Sequence, residues 1–189
     1  MPLRFTRALL VAAGAIAVMA TLASAQEAGP AAPPRVRGAT VDAALLLDEL
    51  VARSPTVRDL VGRLNHSDLL VYIRHQWFST ATLRGRIGFL TADSRRRLLA
   101  IEISSRYTRT DQLVALAHEL QHAMEMAGAP SVWDAPSLAA FYTVIGVQTG
   151  STSSSETYET IAADDIGRRV RNELATIAAP AVLAADDRN

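Results

Sequence analysis

The sequence predicts an α+β fold: a small, mostly antiparallel sheet of about three strands packed with helices. Three observations lead there. Apolar residues recur at helical spacing in five segments. Three short strand-like runs stand together between the second and third of these. Hydrophobic residues make up 49% of a chain with no cysteine, so stability has to come from a packed core.

Taken in order, the chain opens with Arg4 and Arg7 ahead of an uncharged run from Ala8 to Leu22. Ala23-Ser24-Ala25 then gives the small-x-small pattern of a signal-peptidase site. Residues 1–25 are expected to be a cleaved signal peptide, with export to the periplasm or beyond and no stable membrane span after cleavage. Residues 26–38, QEAGPAAPPRVRG, hold three Pro among Ala and Gly and read as a linker. The domain is expected over 39–180, with a frayed tail at 181–189. A domain of about 140 residues is large enough to bury well over half of its unfolded surface.

Val41 to Arg53 places Leu45, Leu46, Leu50 and Val51 on one helical stripe. Ser54-Pro55 interrupts it, and Thr56 to Asn65 continues with Val57, Leu60, Val61 and Leu64. The strand candidates are Leu69–Arg74, Leu83–Leu90 and Arg97–Ser104, spaced for a meander. In the last, Leu99, Ile101 and Ile103 alternate with Ala100, Glu102 and Ser104, which predicts one apolar face and one mixed face. The Arg95-Arg96-Arg97 triplet is expected to face water beside that strand. With a formal net charge of +0 and arginines otherwise scattered, the chain offers no electrostatic case for nucleic acid.

The helix predicted over Thr110–Gly128 carries the chemistry. Thr110 or Asp111 caps its start, Leu113, Leu116, Ala117, Leu120, Ala123 and Met124 recur at helical spacing, and Gly128 with Pro130 ends it. His118, Glu119 and His122 spell His-Glu-x-x-His. Residues four apart on a helix are displaced by about 6 Å along the axis and little around it, so both imidazoles face one space. A single zinc ion can bridge them, and a catalytic zinc takes three protein ligands with a position left for water. Glu119, one step round the helix, is set to handle a proton of that water.

The third ligand lies elsewhere, because no His follows His122. Pro136–Val147 reads as a packed helix, Gln148–Ser155 as a low-complexity connection, and Glu156–Ala178 as a long C-terminal helix. Glu159, at the start of that last helix, heads the ligand candidates, and Glu156 is its nearest rival. Asp164, about one turn further on, and Glu125, on the His-Glu face, are placed to orient an imidazole from behind. Tyr158, Tyr142, Tyr107 and His75 are the candidates for stabilising an oxyanion. His66, in the loop sequence NHSD, reads as a surface residue.

HELQH, preceded by uncharged Leu116-Ala117 and followed by apolar Ala123-Met124, resembles the zincin metallopeptidases. The downstream helix with Glu159 resembles the gluzincin branch. The resemblance implies Zn2+, a zinc-activated water attacking the peptide bond of a peptide or protein substrate, Glu119 as general base, and a strand before the active helix aligning the substrate. One position departs: the thermolysin-like pattern has an Asp four residues after the ligand Glu, where this chain has Ala163 followed by Asp164 and Asp165. Two other readings stand beside the peptidase. One is a non-catalytic periplasmic binding module with a structural or vestigial zinc; the other is hydrolysis of a different amide, such as one in the cell wall.

Overall fold

The computed structural model describes residues 33–151 and 156–178. The expected signal peptide, most of the linker and the expected tail lie outside the described residues. Within them the fold is α+β, with five helices, a four-stranded mixed sheet and a two-stranded ribbon.

β1 (Val36–Gly38) falls where the linker was expected to end. It pairs in parallel with β2 (Leu69–Gln76), Val36 opposite Val71 and Gly38 opposite Ile73. Asn65 Oδ1 supports it by accepting from the backbone N–H groups of Arg35 at 2.7 Å and Val36 at 3.3 Å. The chain then passes directly beneath α1 (Val41–Arg53): a methyl group on Gly38 would lie 2.1 Å from the Ala44 nitrogen, so only glycine fits. Thr40 caps α1, and Ser54 ends α1 and caps α2 (Pro55–Leu64), whose first position is the proline that has no N–H to satisfy.

From β2 the chain runs to the far edge as β3 (Gly85–Ala92) and returns between them as β4 (Arg97–Ser104). The strand order is β1-β2-β4-β3, with β2 parallel to β4 and β3 antiparallel to it. The expectation of a mostly antiparallel three-stranded meander is therefore corrected. The two helices between β1 and β2 are the crossover that parallel strands require, and β3 lands outside β4 instead of beside β2. β3 begins and ends two residues past its expected bounds and carries a bulge between Phe89 and Thr91.

α3 (Arg109–Ala127) lies across this sheet and touches α1, α2, β2, β3 and β4. Its Leu113, Leu116 and Leu120 join Leu46 and Leu50 of α1 and Val71, Ile73, Leu99, Ile101 and Ile103 of the sheet in one core. The cap is Thr108, whose hydroxyl oxygen accepts from Asp111 N, so the helix begins before the expected Thr110.

β4 is buried on both faces, not one, because it is central. Glu102 on its second face is only 5% exposed and is held between Arg74 of β2 and Arg86 of β3. Arg97 also departs from expectation. It is 1% exposed, bidentate to Asp68 at 2.7 and 2.8 Å, and donates to the carbonyls of Ala129 and Val132. These four acceptors satisfy a guanidinium that a strand flanked by water would have left solvated.

α4 (Ala135–Ile145) starts from a capping box between Asp134 and Ser137. β5 (Val147–Ser151) and β6 (Glu156–Glu159) pair as an antiparallel ribbon, with Val147 opposite Glu159. Glu156 and Glu159 thus belong to a strand and not to the opening turns of a helix. The helix α5 (Ile161–Ala178) begins two residues after Glu159 and packs along α3.

Candidate metal centre

Leu113, Leu116 and Leu120 of α3 join the core, His118, His122 and Glu125 face the side where β6 and α5 join, and Glu119 lies toward β3. Glu159 is the last residue of β6, so the end of the ribbon delivers its carboxylate over α3. His118 Nε2 and His122 Nε2 are 3.1 Å apart. Glu159 Oε2 lies 2.6 Å from the first and 3.7 Å from the second. Among the described residues, His118, His122 and Glu159 are the one group of three whose ligand atoms converge in this way.

Glu159 Oε2 is buried and has no hydrogen-bond partner, since its short approach to His118 is not aligned as a hydrogen bond. Its partners are the two imidazoles, which it meets as an ion pair. Zinc bonds of about 2.0–2.1 Å at tetrahedral angles separate ligand atoms by about 3.3 Å. The three observed separations bracket that value, and two imidazoles with a carboxylate form a donor set that zinc accepts.

The charges point the same way. The carboxylates of Glu119, Glu125 and Glu159 surround two imidazoles, and with both rings neutral, as metal ligands require, they would leave an excess of negative charge for a divalent cation to offset. Burial pushes the Glu119 carboxyl up, the two imidazoles pull it down, and it settles at about 7. Burial likewise pushes Glu159 up, but His118 and His122 reverse this and hold it at about 2, so it is ionised. Burial lowers His122, while Glu125 and Glu159 outweigh it and raise the ring to about 10 when protons are the only cations at hand.

His122 is 4% exposed and fixed from three sides. Its Nδ1 lies 2.8 Å from Glu125 Oε2. A carboxylate only accepts, so Nδ1 carries a proton toward Glu125, and Nε2 faces His118 Nε2 and Glu159, where its lone pair would be free for a metal in place of a proton. The Tyr142 ring stands edge-on to the imidazole at 5.3 Å, and its hydroxyl donates to the His122 carbonyl. His118 has looser support: Asp164 Oδ1 is 3.8 Å from its Nδ1, beyond a hydrogen bond, and Gly167 of α5 leaves room beside that nitrogen.

Of the expected oxyanion candidates, Tyr142 is spent on the His122 backbone and Tyr107 on the Ala81 carbonyl. His75 is 3.2 Å from Gln112 Oε1, against the first turn of α3 rather than beside the imidazoles. Tyr158 is next to Glu159 in β6, and its hydroxyl accepts from Thr143. His66 is exposed, with Nδ1 on the Gly62 carbonyl.

Two residues at the centre were absent from the sequence reading. Gly85 of β3 lies against Glu119, and Thr160 joins Glu159 to α5 while donating to Glu125. A signal for Thr160 exists: a threonine three residues before the buried Ala163 is an N-cap pattern, hidden when the helix is started at Glu156. No family model, curated protein or solved structure matches the chain.

Proposed function

We propose that this protein is an exported zinc-dependent metallopeptidase of zincin type, with Glu159 as a gluzincin-like third ligand. The observation that supports it most is the near-tetrahedral spacing of His118 Nε2, His122 Nε2 and Glu159 Oε2 beside a buried Glu119. A zinc ion held there supplies an acidified water and a positive charge for a substrate carbonyl oxygen. Glu119 takes a proton from the attacking water as its oxygen bonds to the carbonyl carbon. It then passes that proton to the nitrogen as the C–N bond breaks. Burial raises its carboxyl above the ordinary carboxylate range, which favours taking and then returning a proton. Glu125 and Tyr142 hold His122 in the required tautomer and orientation. Among the described residues β3 is an edge strand of its sheet, and its Gly85 adjoins Glu119, so an extended peptide added to that edge would bring its carbonyls to the base.

The test is metal content together with cleavage of a mixed peptide library. The expected result is close to one zinc per chain, hydrolysis by the wild type, and loss of hydrolysis with zinc retained in Glu119→Gln. Protein purified from zinc-replete medium without zinc overturns the reading.

One observation favours a second reading, a binding module with a structural zinc. An open groove of about 770 Å³, lined by Pro55, Arg58, Asp59, Arg63, His66 and Met124, borrows none of its walls from the histidine cluster. Chelation that unfolds a protein inactive on every peptide would select this module.

A further inference from the structure

Glu125 uses its two oxygens on two different elements. Oε2 receives the His122 imidazole at 2.8 Å, and Oε1 receives the Thr160 hydroxyl at 2.6 Å. Thr160 is 5% exposed, follows Glu159 directly, and has a hydroxyl oxygen that accepts from Ala163 N at 3.1 Å in the first turn of α5. One hydroxyl therefore donates toward α3 and accepts from α5.

We infer that Glu125 and Thr160 form a clamp that sets the distance between Glu159 and His122, making Thr160 a positioning residue for the metal. This rests on the reading of His118, His122 and Glu159 as zinc ligands. The two histidines are fixed to each other by α3 itself, but Glu159 arrives on a different element, at the end of a two-stranded ribbon. Its backbone is joined to α3 through the next residue, by the Thr160–Glu125 bond. A carboxylate that already orients His122 thus also registers the third ligand, so both ligand positions depend on one side chain. Cap and clamp are separable functions of Thr160. An aspartate there keeps an oxygen to cap α5 but cannot donate to Glu125 and sets a like charge against it.

The experiment measures zinc affinity by chelator competition, the visible spectrum of the cobalt-substituted protein, and amide exchange in the first turn of α5. It uses the full chain and the variants Thr160→Asp, Thr160→Ser and Glu125→Gln. The expected result for Thr160→Asp is zinc binding weaker by about 10-fold or more, a range typical of residues that orient ligands. Its cobalt spectrum shifts, while protection of the Ala163 amide is retained. Thr160→Ser returns affinity and spectrum to wild type. Glu125→Gln, which can accept through one atom only, weakens zinc as well and makes the further loss from Thr160→Asp smaller than it is in the wild type. Wild-type protein that binds zinc while Thr160→Asp binds equally well with an unchanged spectrum overturns the clamp alone. Wild-type protein that binds neither zinc nor cobalt overturns the metal reading and the clamp with it.

Discussion

Gly85 and Glu119 are in contact across the gap between β3 and α3: a methyl group on Gly85 would stand 2.9 Å from Glu119 Oε1 and 3.1 Å from its Cγ. Real side-chain atoms do not approach so closely, so Gly85→Ala must displace the carboxylate. If Glu119 moves the proton, the expected outcome is at least a ten-fold loss of kcat/KM, since misplacing a reacting group by about 1 Å costs on the order of 100-fold. Zinc content should stay at the wild-type level. Gly88→Ala on the same strand, where a methyl group meets nothing within 4 Å, reports whether alanine in β3 harms the fold and should keep the wild-type melting temperature.

Arg97 and Asp68 make a second testable pair. Removing the guanidinium in Arg97→Met strands the Ala129 and Val132 carbonyls and takes the donor from both oxygens of the Asp68 carboxylate. Urea unfolding should show a loss of roughly 2–4 kcal/mol. The hydrogen bonds from Arg97 hold the Asp68 carboxyl below its ordinary 3.8. A folded-state pKa below the unfolded one gives stability that is present above the unfolded value and lost as pH falls through the folded one. Wild type should therefore lose its advantage over Asp68→Asn as pH is lowered below about 4, with the gap unchanged between pH 6 and 8.

The same pair marks where the sequence stops being legible. α1 and β4 could be bounded from their own residues, because a helical stripe over Val41–Arg53 and strict alternation over Arg97–Ser104 are local signals. The burial of Arg97 depends on acceptors at positions 68, 129 and 132, which no window around Arg97 contains. β1 is a strand only because Val71–Ile73 accepts its three residues, and β6 only because Val147–Ser151 lies opposite. In the candidate centre, the nearness of His118 to His122 follows from helix geometry and was readable. Glu159 is legible as a downstream carboxylate at the head of a helical pattern, but the strand that carries it is not, because β6 exists only through its pairing with β5. Thr160 was overlooked for that reason.

α5 is held at its far end by a carboxylate. Glu173 accepts from the hydroxyls of Ser54 and Thr56 at the N-terminus of α2, where Ser54 also caps Val57 N at 3.0 Å. A carboxylate there meets the positive end of the α2 dipole as well as two donors. Ser54→Ala removes both the cap and one of those donors. It should destabilise the protein by about 1–3 kcal/mol in thermal or urea unfolding, the sum of a lost cap and a lost hydrogen bond to a charged group. Glu173→Gln should cost less, because the amide oxygen still accepts from one hydroxyl.

Glu159 links the ribbon to the histidines, and its removal separates a metal site from a chance cluster. His118 and His122 hold the Glu159 carboxyl at about 2, below its ordinary 4.5, so in the metal-free protein the ionised group stabilises the fold at neutral pH and Glu159→Ala loses that contribution. In chelator the variant should therefore melt below the wild-type temperature. Zinc should widen that gap. A ligand bound only by the folded state stabilises it by about 2.7 kcal/mol at a hundred times its dissociation constant, and the variant, left with His118 and His122 alone, should gain far less. Melting curves with and without zinc give both comparisons. A variant that gains as much from zinc as the wild type would remove Glu159 from the ligand set, and with it the gluzincin-like arrangement. Glu156, at the other end of β6, is roughly 10 Å away along the strand.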